Sequence, residues 1–172
     1  MKALIRPATD ADTAGIAEVQ VRTWQTAYAG LLPAEQLDAM SVERSHRGWS
    51  RRLADLEPTA AMLVADLDGE IAGFVNCGPA LDKDATPDRG QIYAIYVAAA
   101  HWRGGIGRQL NHAALESLRA NGFRSATLWV LRANTRACDF YTTVGWVADG
   151  AEQSEEIHGM TADEIRFART LT

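Results

Sequence analysis

Cysteine is scarce in this chain. Cys77 and Cys138 are the only two in 172 residues, and they stand in neither a metal-binding nor a redox spacing, so nothing points to a disulfide framework, a zinc site or any other metal. Long apolar runs are also missing: none approaches the roughly 20 residues that cross a bilayer. Near the N-terminus Arg6 and Asp10 interrupt any apolar core of a secretory signal, which makes the cytoplasm the expected compartment and a membrane an unexpected partner. There is no internal repeat and no low-complexity tract. Positive charge is in deficit, with a net charge of -5, which argues against broad binding to a nucleic-acid backbone and agrees weakly with a cationic substrate, since most charges merely face water.

What is present is the composition of an ordinary globular protein, 47% hydrophobic and 23% charged. At this length one domain over residues 1–172 is expected, burying roughly 70% of the surface of the unfolded chain. Residues 3–6 read as a strand closed by Pro7. Thr9 and Asp12 form a capping-box pattern ahead of a helix over 10–28, whose Ile16, Val19, Val21 and Trp24 point mostly inward. Gly30 and Pro33 break it. A short helix is expected over 34–40, and Ser41 caps another that runs to Leu56 with Trp49 and Leu53 on one face. Asp68-Gly69 joins residues 61–67 and 70–77 into a β-hairpin.

The most informative stretch is 91–118. Residues 91–97 alternate β-branched and aromatic side chains, as a strand does. Ile106, Leu110, Ala113 or Ala114, and Leu118 repeat at helical spacing. Between them Gly104, Gly105 and Gly107 mark a loop that opens a helix, leaving unpaired N–H groups at the positive end of the helix dipole, a setting suited to phosphate. The loop lacks the lysine of a Walker motif, because Arg108-Gln109 follows the last glycine. A dinucleotide fingerprint starting at Gly105 fails at Leu110, where a small residue is required. Further on, residues 128–131 read as a strand, Asn134 as a helix N-cap and Gly145 as the residue that ends that helix. Residues 146–151 and 160–169 look like two final strands, antiparallel across an acidic loop.

Residues 97–110 resemble motif A of the GNAT superfamily, the Gcn5-related N-acetyltransferases, with Gly105-Ile106-Gly107 as its G-x-G half and Trp102 beside Arg103 at the Q/R position. Residues 134–146, with the spacing N-x-x-A-x-x-F-Y-x-x-x-G-W, are similar to motif B. The resemblance implies an α/β fold: a mixed, mostly antiparallel sheet with helices on both faces. It also implies acetyl-CoA as cofactor and transfer of its acetyl group to a primary amine of a small molecule, peptide or protein.

By the same resemblance Trp102, Arg103, Gly104, Gly105, Ile106, Gly107 and Arg108 would hold the pyrophosphate. Main-chain groups of Ile95, Tyr96 and Val97 would hold the pantetheine arm, with an N–H near Val97 for the oxyanion. Asn134 would cap its helix and contact cofactor. Tyr141 would donate a proton to the leaving thiolate, or else be a buried aromatic on the sheet; Phe140 beside it is core. Trp24 and Tyr28, four apart on one helix face, would wall the acceptor amine or pack in the core.

No base is evident. Gln91 stands where many relatives carry Glu, so a water relayed by Gln91, a carboxylate from another loop or an already neutral amine has to serve. Glu70 and Asp88 are conceivable but read better as surface residues, and His101 fits the turn or a phosphate. Glu152, Glu155 and Glu156 would attract a cation or be simply solvated. Two other readings compete: a CoA-sensing or partner-binding module without catalysis, which Gln91 favours, and acetylation of aminoacyl-tRNA, which the acidic charge disfavours. A monomer and a homodimer are equally compatible with the sequence.

Overall fold

The computed structural model describes residues 3–157 and 160–171. The strands are β1 Leu4–Pro7, β2 Ala61–Leu67, β3 Glu70–Pro79, β4 Arg89–Val97, β5 Ser125–Leu131, β6 Val147–Ile157 and β7 Met160–Thr170. The helices are α1 Thr13–Ala27, α2 Ala34–Asp38, α3 Val42–Ala54, α4 Ile106–Ala120 and α5 Thr135–Thr143. One seven-stranded sheet runs in the order β1-β2-β3-β4-β5-β7-β6. Every neighbouring pair is antiparallel except β4 and β5, which are parallel and joined by α4. Among the described residues no helix is long and apolar enough to cross a membrane.

Helices cover both faces, as the sequence implies. On one face Ile106, Leu110, Ala114, Leu115 and Leu118 of α4 pack with Val75, Ala126, Leu128, Val130 and Phe167 of the sheet. On the other, Ile16, Ala17 and Val19 of α1 and Trp49 of α3 close over Met62, Val64 and Phe74. Trp49 and Phe74 meet edge to face at 4.8 Å, a geometry that adds to the area they bury. Two glycines let the layers approach. A Cβ on Gly73 would come within 2.7 Å of the Tyr96 carbonyl oxygen, and one on Gly90 would come equally close to Leu118.

Local signals act where the sequence placed them. Asp12 reaches back to the Thr9 N–H at 2.7 Å, the Ser41 hydroxyl accepts the Arg44 N–H, and Asn134 Oδ1 accepts the Ala137 N–H. Several boundaries differ. Residues 10–12 form a 3-10 turn before α1, α2 stops at Asp38 and α3 at Ala54, β3 runs on to Pro79 and β4 already starts at Arg89. A larger correction concerns the acidic run. Glu152, Glu155 and Glu156 are not on a loop but inside β6, paired with Ile165, Ala162 and Thr161 of β7, because the hairpin ladder continues past a register shift between Ala148 and Glu152. Residues 158–159, which the expected acidic loop includes, lie outside the described residues.

Candidate active site

The site begins where two parallel strands part. The β4–β5 ladder consists of Arg89↔Ser125, Gly90↔Ala126 and Gln91↔Thr127. Beyond Gln91 the strands diverge, while β4 stays paired with β3 through Val97 and β5 with β7 through Leu131. The exit of β4 is held by side chains instead of a neighbouring strand. The Val97 carbonyl accepts the Trp102 indole N–H at 2.7 Å and the Thr23 hydroxyl at 3.3 Å. In a strand the N–H and C=O of one residue point to the same edge, so the Val97 amide faces the opening as well. Ile95, Tyr96 and Val97 are half-buried where β4 leaves β5.

The glycine loop follows directly. Arg103 and Gly105 both have left-handed backbone, with φ of 64° and 84°, and α4 starts at Ile106 with Gly105 at its N-cap. The first intrahelical bond runs from the Gln109 N–H to the Gly105 carbonyl, so the amides of Ile106, Gly107 and Arg108 precede it and have no intrahelical acceptor. Gly104, Gly105 and Arg108 are exposed. A Cβ on Gly107 would lie 3.4 Å from the Phe140 ring, so α4 and α5 converge here, and Phe140, expected as core, is partly buried against the core's edge. Arg136, on the first turn of α5, stacks on Trp102 with its guanidinium carbon 3.4 Å from the ring centroid. Burial and the Arg103 charge lower its pKa. An anion would relieve that crowding of like charge. The sequence reading passed over Arg136, whose one signal was its place two residues after the α5 cap.

Tyr141 enters from α5. Its ring is buried among Phe140, Trp146 and Phe167, with centroids 5.3 Å, 6.3 Å and 6.0 Å away. Among the described residues none hydrogen-bonds its hydroxyl. Burial raises its pKa, and the neighbouring Tyr28 adds to this. The phenol therefore keeps its proton at neutral pH. Across the opening, burial raises the pKa of Tyr28, with the nearby Asn134 amide opposing. Burial likewise raises that of Tyr96, with the nearby Trp24 indole opposing. Trp24 and Tyr28 pack edge to face at 4.7 Å, with Leu37, Leu32, Met40 and Tyr96 around them. Tyr28 just past α1 and Tyr96 of β4 thus pack on one cluster, and Tyr141 of α5 lies within electrostatic reach of both.

The acid–base candidates named from sequence are placed elsewhere. Gln91 is buried, and its Oε1 accepts the Leu81 N–H at 2.9 Å, which pins the segment after β3. Glu70 is exposed and pairs with His101 at 3.6 Å. Asp88 is exposed, and its bond to the Thr86 hydroxyl holds its carboxyl below the ordinary range. A carboxylate with no place among the sequence candidates, Glu164 on β7, lies near two of these phenols. Its charge acts on Tyr28 and Tyr96. Only the alternation of β7 could have shown it. Ile165 and Phe167 pack under α4 and α5, which turns Glu164 and Arg166 to the opposite face. Arg166 there ties together Asp82, Asp84 and Asp149 and stacks on Trp129, anchoring the segment that Gln91 also holds.

A parallel strand pair that parts beside a glycine-rich helix start, with a buried tyrosine opposite, is the arrangement of an acetyl-CoA-binding acyltransferase fold. Residues 20–146 match the Acetyltransferase (GNAT) family, and this chain belongs to it. It is an acyltransferase of the N-acetyltransferase kind. The chain is 29% identical over 161 residues to an uncharacterized N-acetyltransferase of Bacillus subtilis, covering 94% of this chain and 89% of that one. It is 27% identical to the phosphinothricin N-acetyltransferase of Streptomyces viridochromogenes, over 85% and 75% of the two chains. In fold it is similar to the PaiA N-acetyltransferase of Thermoplasma acidophilum solved with coenzyme A, at a TM-score of 0.75 and 20% identity over 99% of both chains.

Proposed function

We propose that this chain transfers the acetyl group of acetyl-CoA directly to a primary amine of a small molecule, peptide or protein, through a tetrahedral intermediate. The observation that carries this reading is the parting of β4 and β5 after Gln91, with the Tyr141 phenol on one side and Tyr28 and Tyr96 on the other. The open amides of Ile106, Gly107 and Arg108 take the pyrophosphate, and the exposed Gly104 and Gly105 let it approach the backbone. Arg103 and the Trp102–Arg136 stack add positive charge beside it. The pantetheine arm lies along Ile95, Tyr96 and Val97 as an extra strand would, which brings the thioester to the Val97 amide. Asn134 borders the arm at the start of α5.

The acetyl carbon then faces Tyr141. As the C–S bond breaks, the phenol gives its proton to the sulfur, which leaves as a thiol. Trp24 and Tyr28 form the acceptor side, and Gln91 contributes by fixing the Leu81 segment at the base of the cleft. Purified protein mixed with acetyl-CoA and a panel of phosphinothricin, a monoamine, a diamine and a peptide with N-terminal alanine should release free thiol with at least one of them. Titration calorimetry should show CoA binding. No thiol release with any amine, together with no heat from CoA, would overturn the reading.

A further inference from the structure

We propose that Glu164 is the group that receives the acceptor's ammonium and takes its proton; this rests on the reading above. Three observations meet on it. First, place: Glu164 lies opposite Leu131 in the β5–β7 ladder, at the far end of the diverging β5, on the face turned towards α1. Second, neighbours: Tyr28 of α1 and Tyr96 of β4 lie within the reach of its charge, and the Tyr96 phenol in turn lies near that of Tyr141. The proposed base and the proposed acid are thus connected through Tyr96 of β4, the strand that borders the opening. Third, charge balance: among the described residues no Lys, Arg or His forms an ion pair with Glu164, whereas Asp82, Asp84, Asp149 and Glu152 all have arginine partners.

The only hydrogen-bond donor to the Glu164 side chain among the described residues is Gln153, at 2.8 Å to Oε2, which orients the group and leaves Oε1 open. The titratable groups facing it are Glu155 of β6, Tyr28 and Tyr96. Arg136 adjoins Tyr28, and Arg166, two residues along the same face of β7, is taken up by Asp82, Asp84 and Asp149. Burial, reinforced by Glu155, raises the Glu164 pKa, with Gln153 opposing. A half-buried carboxylate without a counter-ion is a poor structural choice and a good receptor for an alkylammonium. It also favours a cationic acceptor over one with its own carboxylate beside the amine.

The protons balance. The ammonium gives one proton to Glu164, and the neutral nitrogen attacks the thioester carbon to form the C–N bond. As the C–S bond breaks, the nitrogen loses its second proton and the sulfur takes that of Tyr141, which the nitrogen's proton restores. Ammonium and thioester become amide, thiol and one proton, which Glu164 passes to solvent.

The test is Glu164→Gln, assayed with the panel amine that wild type turns over fastest, alongside Glu164→Asp. Glu164→Gln should lower kcat/KM at pH 7 by about 100-fold with CoA affinity unchanged. The fall of wild-type kcat/KM at low pH, set by the carboxylate, should give way to a rise with pH that tracks the amine's own ionisation. Glu164→Asp should keep part of the activity and the carboxylate limb. If Glu164→Gln retains wild-type kcat/KM and pH profile, or loses CoA binding together with activity, Glu164 is not the proton acceptor. An inactive wild type refutes the acetyltransfer reading itself, so the two failures are distinguishable.

Discussion

The Tyr28 phenol lies close enough to Asn134 for the amide to act on its ionisation, which links the chain just past α1 to the N-cap of α5 across the opening between β4 and β5. Asn134 also accepts the Ala137 N–H at 3.1 Å. One side chain therefore starts the helix that carries Tyr141 and adjoins the aromatic pair Trp24 and Tyr28, the proposed acceptor side. Tyr28→Phe keeps the ring that packs on Trp24 but removes that link. We expect a loss of about 1 kcal/mol, a fall in Tm of about 3 °C for a chain of this size, and a raised KM for the amine with KM for acetyl-CoA little changed. Thermal unfolding and initial rates on the two substrates measure these effects. Equal increases in both KM values would show that Tyr28 does not belong to the acceptor side.

Tyr141→Phe removes a hydroxyl while keeping the ring against Phe140, Trp146 and Phe167. Stability and CoA affinity should be close to wild type, and kcat should fall by about 100-fold. Because burial raises the phenol's pKa above its ordinary value of about 10, Tyr141 should give no downward limb in wild-type kcat at any pH where the protein is folded and assayed. A limb below pH 9 that disappears in Tyr141→Phe would show that the acid is titrating in the working range, contrary to its buried setting.

Gly105 tests the phosphate loop. Its φ of 84° is left-handed, and an added Cβ would meet nothing within 4 Å, so the cost of Gly105→Ala is purely one of backbone conformation. That cost is about 1 kcal/mol. The helix start must then either strain or rotate its open amides away from the ligand. CoA affinity measured by calorimetry should fall about fivefold, the equivalent of that energy, while unfolding shifts by only a few degrees. An unchanged affinity would place the pyrophosphate away from this turn.

Much of this architecture was legible because its signals are local. The Thr9–Asp12 box, the Asp68-Gly69 turn, the Ser41 and Asn134 caps and the left-handed Gly145 each act within a few residues of themselves. The glycine loop and the tyrosine motif sit on consecutive strand–helix units, so their order alone pointed to the family. What stayed hidden depends on register between distant strands. Glu164 faces the opening only because β7 pairs with β5 at Leu131, and Arg166 is buried only because the segment carrying Asp82 and Asp84 folds over it. Gln91 stood in a position that invites a catalytic reading, yet its oxygen is committed to the Leu81 N–H. The acidic residues of β6 looked like a loop because a strand exposed on one face can carry a run of charge without losing its ladder.

Stability at acid pH should depend on a cluster far from the cleft. Arg6 on β1 bridges Asp12 at 2.7 Å and Asp66 at 2.8 Å, with the Asp12 side chain only 8% exposed. The Arg6 guanidinium, and then the Thr9 N–H and hydroxyl, hold the Asp12 carboxyl well below the usual carboxylate range, against an opposing effect of burial. A carboxyl depressed in the folded state contributes stability that is complete above its unfolded pKa of about 4 and drains away as pH falls from there through the folded value. Asp12→Asn should therefore cost about 2 to 3 kcal/mol at pH 7, lowering Tm by about 6 °C, because it uncouples Arg6 and weakens the turn that launches α1. The gap between wild type and variant, followed by urea unfolding, should narrow steadily below pH 4 as wild type loses what the variant already lacks. A gap of constant size from pH 7 to pH 3 would mean that the lost stability comes from packing or the helix start alone, and that the charge of Asp12 does not contribute to it.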